Sequence, residues 1–273
     1  MVGRNTLSRY YYDSDTSYYS TDYSDSEDDY VDAKGKEILG FSLEKLNLGP
    51  RKKLLVLNLN GFLVNRIHHT KVNEIPKSRS PDAVYRNFKV FRRPYVEEFM
   101  KFCLERFELG IWSSAIEHNV DDALNCSIGS STKKLLFVWD QNQCLDSGFK
   151  SLENANKPLF FKELKKIWDQ IKKGGPFSAS NTLLIDDKPN KAFLNTPHTG
   201  IFPEPWKVQD KDDKTLDPKG ELCLFLEGLA NANDVTSYVK ENPFGNSAIT
   251  SSHSDWDYYC NVQKCIQSRI YQK

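Results

Sequence analysis

Short apolar runs that each deliver a polar pair constrain this chain more than any other feature. Leu54-Leu55-Val56-Leu57 runs into Asn58-Leu59-Asn60-Gly61, Ile111-Trp112 into Ser113-Ser114, and Leu183-Leu184-Ile185 into Asp186-Asp187. Brief apolar runs bounded by polar loops read as buried strands. Leu135–Trp139 is a further strand, and Tyr85–Phe91 alternates as a strand does. Between the runs the spacing is helical. Val96, Phe99, Met100, Cys103 and Phe107 follow Pro94, which suits a first helical turn. A second helix lies near Glu117–Asn125, and a third over Leu159–Ile171 is closed by Gly174-Gly175-Pro176. Residues 218–240 read as one or two more. Strands alternating with helices predict an α/β fold, a mainly parallel sheet with helices on both faces.

Composition limits the rest. The 273 residues allow one domain of about 180–200 residues with tails. The formal charge is zero, with 37 basic and 37 acidic side chains, but it is unevenly spread. Residues 10–32 hold eight acids and no Lys or Arg, so the remainder carries 37 basic against 29 acidic groups. Residues 1–33, rich in Tyr, Ser and Asp with almost no aliphatics, are expected to be a disordered acidic tail, followed by a linker over 34–50. Ser24 and Ser26, each with acids downstream, are candidate phosphorylation sites. The tail has neither the basic, acid-poor character of a transit peptide nor the apolar centre of a secretory signal. No run approaches the roughly 20 apolar residues of a membrane span. The six cysteines form no Cys-x-x-Cys pair and read as reduced thiols of an intracellular protein. Basic residues are dispersed without a recognition motif, which argues against nucleic acid as a partner. From about Asn242 the chain is a polar tail with a short helix near Val262–Tyr271.

Open α/β sheets place their sites beyond the carboxyl ends of the strands. The candidates are therefore Asn58, Asn60, Ser113, Asp186 and Asp187, with Lys162 in the helical stretch Phe160–Leu164. Each has a local alternative. Asn60-Gly61 suits a hairpin turn, Ser113-Ser114 could cap the following helix, and Lys162 could be a solvated lysine. Asp186-Asp187-Lys188-Pro189 could be a strand-to-turn junction.

Taken together, their order and spacing resemble the carboxy-terminal-domain (CTD) phosphatase branch of the haloacid dehalogenase superfamily, across roughly Arg51 to Ala230. Phe91-Arg92-Arg93-Pro94-Tyr95-Val96-Glu97-Glu98-Phe99 is similar to that branch's Arg-Pro segment, and Pro197-His198-Thr199-Gly200-Ile201-Phe202-Pro203 to the stretch after the last motif of plant-like members. The resemblance implies a domain over 51–241, with a Rossmann-like parallel sheet and a small β-hairpin flap after the first strand. It also implies Mg²⁺-dependent dephosphorylation of phosphoproteins. The nucleophile position falls on Asn58, the general acid on Asn60, phosphoryl contacts on Ser113 and Lys162, and metal ligands on Asn58, Asn60 and Asp187. Asp186 places Lys162.

Both residues of the first motif are amides where the family has carboxylates. An amide forms no aspartyl-phosphate and has no proton to exchange near neutral pH. Two fewer negative charges also weaken Mg²⁺. The expectation is a catalytically inactive phosphatase-like protein, reading phosphoproteins or serving as an interaction scaffold in the nucleus or cytoplasm. Two alternatives stay open: a protein Ser/Thr phosphatase with atypical activity, and a phosphatase-like receptor of the mitochondrial presequence translocase. The oligomeric state is not legible.

Overall fold

The computed structural model describes residues 51–271, so the acidic segment 1–33 with Ser24 and Ser26, and the linker 34–50, lie outside the described residues. In chain order come β1 (Leu54–Leu57), β2 (Val64–His68), β3 (Ala83–Tyr85), β4 (Phe88–Arg92), α1 (Val96–Arg106), β5 (Glu108–Trp112) and α2 (Glu117–Ser127). Next are β6 (Phe137–Trp139), β7 (Leu145–Ser151), β8 (Asn154–Phe161), α3 (Leu164–Gln170), β9 (Thr182–Ile185) and β10 (Gly200–Ile201). The chain closes with α4 (Glu221–Asn231), α5 (Val235–Glu241) and α6 (Trp256–Tyr271).

The expected parallel sheet is present, in the order β10-β9-β1-β5-β6. β1 lies central, with Leu54 opposite both Glu108 and Thr182. Strand side chains alternate between faces, and this decides which helices cover which side. Leu55 and Leu57, with Leu109, Ile111, Leu183 and Ile185, pack on one face with Phe99, Met100 and Cys103 of α1, Val120 and Leu124 of α2, and Leu226 and Leu229 of α4. Leu54 and Val56, with Trp112 and Leu184, pack on the other against Leu164 and Ile167 of α3. Two lysines tie the first strand to the helices beside it. Lys52 Nζ donates to the Leu104 carbonyl (3.0 Å) in the last turn of α1, and Lys53 Nζ to the Ala230 carbonyl (2.9 Å) in the last turn of α4. Cations are favoured at such carbonyl ends.

Five expectations need correction. The flap is a three-stranded antiparallel sheet, β2-β4-β3, rather than a hairpin. Tyr85–Phe91 is interrupted at Arg86, whose φ of 48° turns the chain between β3 and β4. Pro94 precedes the helix instead of opening it, because Tyr95 adopts a left-handed conformation and α1 begins at Val96. The stretch Leu159–Ile171 is not one helix: β8 runs through Phe161, α3 begins only at Leu164, and Lys162 sits in the link. The apolar run Leu159-Phe160-Phe161 pairs with β7 in an antiparallel hairpin, which overrides its helical spacing.

The fifth concerns the C-terminus, where the fold continues past residue 241. Helix α6 spans 16 residues, and its Tyr259, Val262 and Ile266 pack with Leu159 and Phe161 of the β7–β8 hairpin. Arg269 Nη1 adds a bond to the Ser147 carbonyl (2.8 Å). No helix among the described residues is long and apolar enough to cross a membrane.

A buried ion pair joins the link between β4 and α1 to the segment before α4, and a further bond ties it to the loop after β1. Arg93 reaches Asp213 through Nε (2.7 Å) and Nη2 (2.8 Å), and Nη1 donates to the Phe62 carbonyl (3.1 Å). The two side chains are 1% and 7% exposed. Removing one partner strands the other charge away from water. Arg93→Met should therefore lower unfolding stability by about 3–5 kcal/mol in urea melts, and a loss below about 1 kcal/mol would show that Asp213 finds water instead.

Candidate functional site

β1, β5 and β9 end side by side, so their parallel register brings Asn58, Ser113 and Asp186-Asp187 to one edge of the sheet. Lys162 arrives from the β8–α3 link. Its backbone is clamped on both sides: its N–H donates to the Lys191 carbonyl (2.8 Å), and its carbonyl accepts from Asn195 Nδ2 (2.8 Å). Asn195 Oδ1 also takes the N–H of Leu164 (2.8 Å), at the start of α3. Sequence reasoning missed Asn195; no local pattern marks a side chain that supports a neighbouring loop.

At the centre, Lys162 Nζ donates to Asp186 Oδ2 (2.6 Å) and to Asn58 Oδ1 (3.0 Å). Asn58 Nδ2 donates to Asp187 Oδ1 (2.6 Å) and to the backbone carbonyl of Asn60 (2.8 Å). Asp186 Oδ1 accepts the Lys188 N–H (3.0 Å). All four side chains are buried, Lys162 and Asp186 to 1% exposure. Burial, then the neighbouring Asp186 charge, pushes Asp187 up to about 7, against the pull of Lys162, Lys188 and the Asn58 hydrogen bond.

Ser113 is also buried, and its Oγ accepts the N–H of Ala115 (3.2 Å). It does not cap α2, whose N-cap position is Ile116 with no side-chain bond. Asn60 is the predicted site residue that stands apart: its side chain is exposed, and its Oδ1 accepts the N–H of Arg66 (2.9 Å). Only its carbonyl faces the centre. The predicted Asn60-Gly61 hairpin turn is instead a loop in which Gly61 donates to Val64 O (2.7 Å) with φ +88°. A Cβ on Gly61 would lie 2.4 Å from Asp187 Oδ2, so glycine lets the loop close over that carboxylate.

Beside this loop stands Arg66, which sequence reasoning did not select. Its guanidinium lies 4.2 Å from the centroid of the Phe88 ring, and its Nε is buried without a partner. Burial lowers its pKa to about 10, with Asp122 opposing the shift.

The donor set does not fit a Mg²⁺ ion. Asn58 turns its oxygen to Lys162, Asn60 turns its side chain to Arg66, and Asp186 is held by Lys162. Among the described residues no three His, Cys, Asp or Glu side chains gather as a metal cluster.

Residues 53–236 match the family model described as NLI interacting factor-like phosphatase. An uncharacterized FCP1 homology domain-containing protein of Schizosaccharomyces pombe is 25% identical over 71% of this chain and 78% of its own length. The ubiquitin-like domain-containing CTD phosphatase 1 of Xenopus tropicalis is 24% identical over 82% of this chain and 60% of its own. A probable C-terminal domain small phosphatase of Dictyostelium discoideum is 23% identical over 56% of this chain and 42% of its own. The solved structure of Fcp1, an essential RNA polymerase II CTD phosphatase, superposes with a TM-score of 0.40 and 14% identity over 84% of this chain and 64% of that one.

The raised Asp187 carboxyl has a direct consequence. In the fold it keeps its proton up to about 7, whereas the unfolded chain releases it near 3.8. Between those values the native state holds more protons, so stability is full below the lower value and falls as pH rises through the higher one. Denaturant melts from pH 4 to pH 8 should show this decline, and Asp187→Asn should flatten it. An unchanged slope in the variant would place the titrating group elsewhere.

Proposed function

Since the chain belongs to the NLI interacting factor-like phosphatase family, we propose that it is a catalytically silent member of it, a phosphoprotein-interaction module acting in the nucleus or cytoplasm. One observation carries the silence. The Asn58 side chain, at the nucleophile position, is uncharged and its amide is fully engaged: Oδ1 accepts from Lys162, and both Nδ2 hydrogens go to Asp187 and Asn60. It has neither the charge nor the freedom to attack phosphorus. Loss of a covalent nucleophile costs on the order of 10⁶ in turnover. At the general-acid position, the Asn60 side chain points to the Arg66 backbone instead of the centre. Mg²⁺ dependence, general in the family, is accordingly proposed to be absent here.

The expected outcome with a phospho-Ser peptide and Mg²⁺ is no turnover above buffer. Native turnover that disappears in Ser113→Ala would overturn the reading. A variant carrying Asn58→Asp and Asn60→Asp, assayed beside it, shows how much of the pocket survives around those two positions.

Phosphate recognition is proposed to lie beside the pocket rather than at Lys162. Lys162 is shared between Asp186 and Asn58, so its ammonium is already engaged. Arg66 stands beside it as a half-buried cation stacked on the Phe88 ring. Arginine on an aromatic face suits phosphate and carboxylate groups. Arg66→Gln should weaken binding of a phospho-Ser peptide roughly tenfold by fluorescence anisotropy, as expected for one charge-assisted contact, and leave the melting temperature unchanged. Equal binding by both proteins would remove Arg66 from the reading.

A further inference from the structure

Two oxygens converge on a single atom at the centre of the site. The Asn60 carbonyl lies 2.8 Å from Asn58 Nδ2, and Asp187 Oδ1 lies 2.6 Å from it. Where a carboxylate and a carbonyl oxygen point at one spot in a buried site, something positive must stand there. Either a cation or a two-hydrogen donor meets the need.

The orientation of the amide follows from its neighbours. Turned over, Asn58 would set its oxygen against the Asp187 carboxylate and the Asn60 carbonyl, and its NH₂ against the Lys162 ammonium. The contacts with the Asn60 carbonyl and the Lys162 ammonium would then be repulsive. In the orientation present, both hydrogens and the oxygen each find a complementary partner. An amide is therefore the side chain of this shape that satisfies three such neighbours without help.

An aspartate at position 58 would not. Once Asp187 is ionised, the second oxygen of that new side chain would meet the Asn60 carbonyl and Asp187 with no hydrogen to share. Three oxygens would then converge in a buried space whose nearest ammonium, Lys162, is already paired with Asp186. Hard oxygen donors brought together in this way are what Mg²⁺ takes.

The geometry points to Asn58 as a built-in replacement for a divalent cation: its Nδ2 joins the two oxygens that would otherwise need one, so the centre keeps its shape without metal and acquires a Mg²⁺ requirement on the single change Asn58→Asp. This goes beyond the absence of turnover. It says that the amide contributes to the fold at the same point where it removes the chemistry.

The test uses the full chain at alkaline pH, with Asp187 ionised, and reads stability rather than activity. Native protein should melt at the same temperature in EDTA and in millimolar Mg²⁺. Asn58→Asp should melt lower in EDTA and recover in Mg²⁺ by about 5 °C or more, the size expected when a site in a domain of this length is saturated. Adding Asp187→Asn to that variant should abolish the recovery. Mn²⁺ gives a second readout, broadening the backbone amide resonances of Gly61 and Lys188 in Asn58→Asp and leaving them sharp in the native protein. Saturable Mg²⁺ stabilisation or Mn²⁺ broadening in the native protein would overturn the inference. So would an Asn58→Asp protein that is as stable as native in EDTA, or one that stays unfolded with Mg²⁺ present. Turnover by the native protein in EDTA would instead overturn the proposed silence and leave this inference standing.

Discussion

The buried pair of Lys162 and Asp186 is the interaction on which the rest of this site depends. Moving both charges out of water is costly, and the pair persists because its leftover hydrogen-bonding capacity is used. Asp186 takes the Lys188 N–H on its other oxygen, and Lys162 gives a second bond to Asn58. The pair also joins pieces that the sheet alone leaves separate. Asp186 is fixed at the end of β9, where its N–H donates to the Ile201 carbonyl (3.2 Å), while Lys162 belongs to the link after the β7–β8 hairpin. From the ammonium outward everything else follows. It draws the Asn58 oxygen, which turns the amide nitrogen toward Asp187 and the Asn60 carbonyl. That sets where the loop closes, and Gly61 is the residue that lets it come so near to Asp187.

This order of dependence supports the proposal that a phosphatase framework stands here without phosphatase chemistry. By the resemblance, Ser113, Lys162, Asp186 and Asp187 are proposed to occupy the family's functional positions, yet each has structural work in this chain. Ser113 holds the Ala115 N–H, Lys162 and Asp186 neutralise one another, and Asp187 accepts from Asn58. Their presence is therefore weak evidence for turnover. The evidence that discriminates sits at Asn58, where the chemistry needs an anion and the fold needs only a side chain of the right shape.

How much of this could be read from sequence divides along physical lines. The strands β1, β5 and β9 were legible because buried parallel strands are apolar on both faces, and a short Leu-Ile-Val run ending in polar residues admits few other readings. Their shared edge then brought Asn58, Ser113, Asp186 and Asp187 together. Lys162 reads as helical in the sequence because Leu159, Phe160, Phe161, Leu164 and Ile167 fit a helical period. What decided against it is non-local: the pairing of β8 with β7, and the packing of Phe161 on Tyr259 of α6. The C-terminal segment read as a polar tail because α6 buries one narrow stripe and leaves the rest exposed. Arg66 and Asn195 left no local trace, since their importance comes from partners far away in the chain.

The two asparagines that dominate the sequence are not equivalent in the structure. Asn58 lies inside, and an acid there would change the charge of the centre. Asn60 lies outside, because the backbone of its loop is held by bonds that do not involve its side chain. Gly61 donates to Val64 and its carbonyl accepts from Trp206 (2.8 Å), and the left-handed Gly61 sets the path between them. A carboxylate at position 60 would accept the Arg66 N–H as readily as the amide does, and would remain turned away. Restoring a proton donor therefore asks for a different loop, whereas restoring a nucleophile asks for one side chain and a cation. The proposed departure from a working phosphatase thus lies partly in backbone conformation, and that part is beyond what exchanging amides for acids can reverse.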